Sequence, residues 1–329
     1  MKCAVRRRIL TIDGGGLKGI VPAAFLAEME KQVSLPLQEY FDLIVGTSTG
    51  GIIAAGLALG MTAEEIVGIY RSSGPRIFPT LSWFNRWVLW SKRWVWAKYP
   101  TAVLRAELQR HFGAATIGSS RTRLVIPSWS ARSQTVHVWK TRHSGRFRQD
   151  HILPIVDALV STASAPTYFA PDRGSGGTGL IDGGVWANNP MLVAAVEAVG
   201  VLGWDPRDVL MLSLGCIKED YIAPSGGGAL RWAIPAAKVL MQAQSQGAIG
   251  GAYLLLRDRP NDPERVFRVE ASAPDGKYRL DAAKDLDALE QTGRELARHE
   301  FDRLVPKFFL DKVTPFRPLP VEASDDDVS

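Results

Sequence analysis

Cysteine and histidine are scarce in this chain. Two cysteines, Cys3 and Cys216, in 329 residues cannot build a disulfide framework, so a reducing compartment is the simpler home. The five histidines are His111, His137, His143, His151 and His299. Four of them lie in one short stretch, which restricts any chemistry that needs a histidine late in the chain. A dominant charge is also missing. Lys plus Arg number 39 against 34 Asp plus Glu, a formal +5 with pI near 9.2, which favours anionic partners such as phospholipid head groups or nucleotides. The excess is too mild to mark a binder of nucleic acid polymers. No export signal is visible, because the basic Met1 to Arg8 runs directly into Ile9-Leu10-Thr11-Ile12, too short for the apolar core of a signal peptide. One uncharged stretch, Leu43 to Ala63, has the length of a membrane span. Its five glycines and Thr47-Ser48-Thr49 centre fit a buried strand, turn and helix better.

What is present is a globular composition, 46% hydrophobic and 22% charged. Residues 8 to 13 read as a strand, 17 to 33 as a helix, 41 to 45 as a strand and 51 to 57 as a helix. Thr62-x-x-Glu65 is a capping box opening a further helix. Pro100-Thr101 opens another, to about Phe112, ahead of strand-like runs at 123 to 126 and 135 to 139. Residues 152 to 163 and 190 to 202 look helical, 179 to 181 and 209 to 214 strand-like. This rhythm argues an α/β fold with a mostly parallel sheet covered on both faces. Beyond Gly215 the pattern predicts a helix near 229 to 257, a strand at 266 to 270 and helices from about 284 to 309. No repeat or long linker interrupts the chain, so one domain over 1–329 is expected, with its core motifs in 8–215 and a largely helical part at 229–310. The acidic tail, 322–329, is expected to be disordered.

Gly46-Thr47-Ser48-Thr49-Gly50 sits between a predicted strand and a predicted helix. Small flanking residues let the backbone turn back sharply and expose the hydroxyl, which makes Ser48 a candidate nucleophile. A serine needs a base, usually a histidine oriented by an acid. In the hydrolase order the histidine follows the acid, and only His299 follows Asp182; it lies in a charged helical stretch that reads as solvated surface. A carboxylate is the alternative base, weak at its ordinary pKa near ~3.9 unless burial and placement help. Asp182 fits, at the end of the strand-like Leu180-Ile181, with Gly183-Gly184 allowing close backbone approach; taken alone, Asp-Gly-Gly is also an ordinary turn. Oxyanion donors are expected from the amides of Gly14, Gly15 and Gly16, between a strand and a helix N-terminus, and from Thr49 after the nucleophile. Lys18 would support negative charge or structure beside them. Gly14-x-Gly16-x-x-Gly19 also matches a dinucleotide fingerprint, but the acid expected about 20 residues on, at the end of the next strand, is replaced by Gly46-Thr47-Ser48.

Together these segments resemble the patatin-like phospholipase family. Asp13 to Gly19 resembles its oxyanion loop, Gly46 to Gly50 its nucleophile elbow and Asp182 to Gly184 its aspartate motif. Ser161 to Phe169 resembles the segment before that aspartate, and Ser213-Leu214-Gly215 a later strand end, while Cys216-Ile217 departs from the usual Thr-Gly. The resemblance implies a three-layer α/β/α patatin-like fold and hydrolysis of phospholipid acyl esters by a dyad of Ser48 and Asp182, with no cofactor or metal required. It also points to bacterial effectors of anti-phage signalling: cytoplasmic, acting peripherally on the inner face of the membrane, with a cyclic di- or trinucleotide as candidate activator. A homo-oligomer stays open. An unregulated lipid acyl hydrolase, or a nucleotide-responsive binding or assembly module, are the alternative readings.

Half of the ten tryptophans fall between Trp83 and Trp96. On a helix Trp83, Trp87, Trp90 and Trp94 would line one stripe, with Arg86, Lys92 and Arg93 off its centre. That pattern suits an interfacial anchor or lid, and equally a core or subunit contact. The basic run Arg142 to Arg148 reads most simply as a solvated hairpin turn, and less simply as a phosphate-binding loop.

Overall fold

A computed structural model of the chain describes residues 6–79, 97–171, 179–220, 225–261 and 263–320. The tryptophan stripe of residues 83–96 and the acidic tail lie outside the described residues. The strands are β1 (Arg7–Ile12), β2 (Leu43–Gly46), β3 (Arg123–Ser130), β4 (Thr135–Lys140), β5 (Leu180–Asp182), β6 (Val209–Asp220) and β7 (Val266–Pro274). The helices are α1 (Ile20–Glu30), α2 (Thr49–Leu59), α3 (Ala63–Ile77), α4 (Thr101–Phe112), α5 (Ile155–Ala163), α6 (Gly184–Ala187), α7 (Met191–Val196), α8 (Ala229–Leu255) and α9 (Leu286–Phe308).

The sheet runs β4-β3-β2-β1-β6-β7, with β5 also paired to β3. All pairings are parallel except those of β4 and β5 with β3. The near-continuous apolar strands of the sequence follow from burial on both faces. Leu10, Ile12, Ile44, Leu210, Leu212 and Leu214 face one apolar cluster with α1, α2, α3, α5 and α9. Their neighbours Ile9, Leu43, Val45, Val209 and Met211 face the other, with α7 and the end of α8. Alternate residues thus feed opposite layers, giving the expected α/β/α arrangement with a mostly parallel sheet. α1 is buried on nearly every side between the sheet and α9, and Gly293 lets the two helices close up, since a Cβ there would lie 2.3 Å from the Val21 carbonyl oxygen.

The uncharged stretch from Leu43 is β2 and α2, buried in the core, and no helix among the described residues is long and apolar enough to cross a membrane. The capping box forms: Glu65 N–H donates to Thr62 Oγ1 at 3.2 Å and Thr62 N–H to Glu65 Oε2 at 2.8 Å. Two expectations need correction. The helix predicted from residue 17 begins as a 3-10 turn at Gly16–Gly19 and becomes α-helical only at Ile20, because Gly16 takes φ 58° and Leu17 N–H bonds away to the Leu280 carbonyl at 2.8 Å. The run Arg142 to Arg148 is not a solvated turn throughout. Arg142 and His143 are buried, His143 Nε2 lying 2.8 Å from Glu197 Oε1 and Arg142 donating to the Pro320 carbonyl at 2.7 Å, while Arg146 and Arg148 remain exposed.

In-register parallel pairing brings the ends of β1 and β2 and the irregularity within β6, between Leu214 and Ile217, to one edge. Ile12 lies opposite Gly46 on one side and Leu214 on the other, so Asp13-Gly14-Gly15-Gly16, Thr47-Ser48 and Gly215-Cys216 emerge together. That carboxyl edge is where open α/β sheets place their ligands. The first half of β3 pairs with β2 and its last residues with β5, Ser128 opposite Asp182. β5 therefore meets β2 end to end along β3, and Asp182 arrives where the chain leaves Gly46.

Candidate active site

Ser48 joins β2 to α2 with φ 55° and ψ −126°, a conformation that L side chains rarely adopt. Space for the turn comes from glycines: a Cβ at Gly46 would sit 2.2 Å from the Gly50 carbonyl oxygen, and one at Gly50 2.4 Å from that of Ile12. The turn is locked by Ser48 N–H donating to Thr162 Oγ1 at 3.0 Å and by Thr162 Oγ1 donating in turn to the Pro127 carbonyl at 2.5 Å. Thr47 Oγ1 donates to the Ala187 carbonyl at 2.6 Å. The hydroxyl of Ser48 donates to Asp182 Oδ2 at 2.6 Å. The other carboxylate oxygen, Oδ1, accepts the Gly184 N–H at 2.6 Å. Both residues are buried, Ser48 at 8% and Asp182 at 4% exposure.

Burial pushes the Asp182 carboxyl up to about 7, against the opposing pull of the bonds from Ser48 and Gly184. A carboxylate with that affinity for a proton is matched to base and acid work near neutrality, which its ordinary value would not permit. None of the described histidines hydrogen-bonds to Ser48. His299 is 83% exposed on α9 beside Glu300, as its charged surroundings predict.

The loop from Asp13 to Leu17 is tied at several points. Asp13 N–H donates to the Leu214 carbonyl at 3.0 Å, Gly14 N–H to the Asn188 carbonyl at 3.0 Å, and Asn188 Nδ2 to the Gly14 carbonyl at 3.3 Å. The expectation for Gly14 is thereby corrected. Its amide is engaged in holding the loop, and its lack of a side chain matters instead, since a Cβ there would lie 2.5 Å from Asn188 Oδ1 and 3.0 Å from Ser48 Cβ. The amides of Gly15, Gly16 and Thr49 have no hydrogen-bond partner among the described residues. Thr49 has in addition the dipole of α2, at whose N-terminus it lies. Lys18 does not join them: its Nζ pairs with Glu219 Oε1 at 2.8 Å. Cys216 is buried against this loop, its thiol pushed by burial to about 12 and so held as an inert neutral group.

Three contributors were not singled out by sequence reasoning. Thr162 lies within the Ser161 to Phe169 segment but gave no reason of its own. Asn188, shortly after the aspartate motif, has a signal in Asn188-Asn189-Pro190. Arg268, which holds Asp13, carries no local signature.

The family model of the patatin-like phospholipases matches residues 10–195, spanning all three motifs. The chain belongs to the patatin-like phospholipase family. It is therefore classed with ester hydrolases, and the dinucleotide reading of Gly14 to Gly19 falls away. A cGAMP-activated phospholipase from Escherichia coli is 31% identical over 343 residues, covering 95% of each chain. One from Pseudomonas aeruginosa is 36% identical over 276 residues, covering 80% of this chain and 81% of that one. Patatin-like protein 2 of Arabidopsis thaliana is 28% identical over 349 residues, covering 90% and 84%.

Proposed function

We propose that this protein is a lipid acyl hydrolase that cleaves acyl esters of membrane phospholipids with Ser48 as nucleophile and Asp182 as general base. The observation that carries the reading is the 2.6 Å bond from the Ser48 hydroxyl to a buried carboxylate, at a backbone turn that glycines make possible. Ser48 Oγ attacks the ester carbonyl carbon as its proton passes to Asp182. The carbonyl oxygen becomes the oxyanion, held by the amides of Gly15, Gly16 and Thr49. Collapse breaks the bond to the leaving alkoxide, which takes the proton from Asp182. Water then attacks the acyl-enzyme by the same route in reverse, releasing the fatty acid.

The likeness to two cGAMP-activated phospholipases along most of the chain supports activation by a cyclic nucleotide, with cGAMP the first to try. It also supports one functional unit across residues 1–329, at work in the cytoplasm on the inner membrane face. Fatty acid release from phospholipid vesicles, measured with and without a panel of cyclic di- and trinucleotides, tests both parts. Nucleotide-dependent release lost in Ser48→Ala is expected. Release that needs no nucleotide favours an unregulated hydrolase, and release surviving in Ser48→Ala overturns the assignment of the nucleophile.

A further inference from the structure

Two ties on the oxyanion loop come from beyond residue 195, where the family match ends. One is the bond from Leu17 N–H to the Leu280 carbonyl. The other is Arg268 of β7, whose Nη1 lies 2.9 Å from Asp13 Oδ1 and whose Nη2 lies 2.5 Å from Oδ2, a two-point fork on the carboxylate. The same guanidinium donates to Ser213 Oγ at 2.8 Å and to Glu270 Oε2 at 2.7 Å.

Its path is unusual for a strand residue. Arg268 pairs with Ser213 of β6, and Ser213 with Thr11 of β1, so the side chain crosses a whole strand to reach the residue after β1. The passage exists because β6 is small there. A Cβ at Gly215 would lie 2.5 Å from Arg268 Nη2. Ser213 supplies a hydroxyl in place of an apolar side chain. A largely buried arginine-carboxylate pair gives little net stability over an apolar replacement, so its use at this edge calls for a reason other than holding the fold together.

We propose that Arg268 is a positioning residue for acyl transfer: by clamping Asp13 across β6 it aims the amides of Gly15 and Gly16 at the oxyanion. This rests on the acyl-hydrolase reading above. Ser213 and Gly215 are the small residues that let the clamp through.

The test compares Arg268→Lys, the charge-neutral double variant Asp13→Asn/Arg268→Met, and Gly215→Ala, which keeps both charges but crowds the guanidinium. Turnover of a soluble short-chain ester is measured in the full chain, with the activating nucleotide present where the wild type needs one. Displacing the loop by about an ångström predicts a kcat loss of about 10²-fold in the double variant. KM and the acid limb of the pH profile should stay near wild type, the latter since neither Asp13 nor Arg268 figures among the groups shifting Asp182. Arg268→Lys should recover part of the rate, because an ammonium keeps the charge without the fork. Gly215→Ala should lower kcat with no change of charge. A folded double variant at wild-type kcat overturns the proposal, as does a kcat loss matched by a shift of the acid limb. A wild-type chain with no turnover of any ester and no fluorophosphonate labelling at Ser48 would instead fail the acyl-hydrolase reading itself.

Discussion

Among the described residues there are two buried serine-carboxylate contacts, and the one closer to a catalytic triad in residue types is not at the sheet edge. Ser73 of α3 donates to Glu107 Oε2 at 2.8 Å, and its oxygen lies 3.0 Å from His111 Nε2, both partners being on α4. Serine, histidine and acid are all there, whereas Ser48 has only Asp182. The surroundings separate them. Ser73 lies within α3, two residues before Pro75 and without the positive φ of Ser48, and it gives its one proton to the carboxylate, so His111 must act as donor. Burial raises the Glu107 carboxyl, but Ser73, Arg110 and Arg76 hold it below its ordinary range. That acid stays ionised as a partner for cations, and the cluster clamps α3 to α4. At the other contact the acid is pushed up to about 7, the serine is forced to φ 55° and the nearby amides of Gly15, Gly16 and Thr49 lack partners among the described residues. What distinguishes the proposed nucleophile is therefore strand-end geometry and an acid that burial raises, and the list of residue types does not reveal it.

The sharpest break of this comparison is substitution at each contact. Ser48→Ala and Asp182→Ala should each lower ester turnover by about 10⁴-fold or more, and the double variant should be little worse, because the pair acts as a unit. Ser73→Ala and His111→Ala should keep near-wild-type kcat and fluorophosphonate labelling. Equal losses at both serines would end the distinction.

Next comes the loop. Gly15→Ala places a Cβ 2.5 Å from Cys216 Sγ, so the amide must shift. Loss of one oxyanion donor typically costs about 2.7–4 kcal/mol, so kcat should fall about 10²- to 10³-fold with KM little changed. Unchanged kcat in a folded variant would remove Gly15 from the site.

The pH dependence sharpens the contrast between the two acids. Asp182 must be ionised to take a proton, so kcat/KM should rise with an acid limb near pH 7. A limb near pH 4 would mean that burial does not raise this acid. The same shift acts on stability with the opposite sense. Between about pH 4 and 7 the folded chain holds a proton on Asp182 that the unfolded chain has released, so stability from this group falls as pH rises through that window. Asp182→Asn should flatten that part of the curve, as read by thermal midpoints at several pH values. Glu107, shifted the other way, should lose its contribution only in acid.

The smallest effect is structural. Ser73→Ala removes one bond from a carboxylate that keeps Arg110 at 2.7 Å, so a loss of about 1–3 kcal/mol is expected, seen as a modest drop in thermal midpoint. A larger drop would make this clamp a keystone of the helical layer. His299→Ala, on an exposed face, should change neither rate nor midpoint.

Much of this was legible from local rules. Strand-like Ile9 to Ile12, the capping box at Thr62 and the break after Phe112 each rest on period, turn chemistry or end signals within a few residues, and each formed with bounds shifted only slightly, whereas the strand expected at Val209 to Leu214 runs on to Asp220. Ser48 was legible because its elbow needs glycines at fixed offsets. Asp182 was legible only as half of a pattern, since Asp-Gly-Gly alone is also a turn. Arg142 and His143 misled because a basic run looks solvated, and only the fold supplies their partners, the buried Glu197 carboxylate and the Pro320 carbonyl.

By itself the sequence determined the layers, the parallel core and the family, because apolar period, glycine placement and motif order are local or collinear properties. Tertiary structure alone decided which amides remain unpaired among the described residues, why Gly14 holds the loop while Gly15 and Gly16 stay open, and that burial pushes the Asp182 carboxyl up to about 7. Those depend on residues far apart in the chain, such as Asn188 against Gly14, Thr162 against Ser48 and Arg268 against Asp13. Hydrogen bonds and desolvation are set by what lies across the gap in space, which no spacing along the chain records.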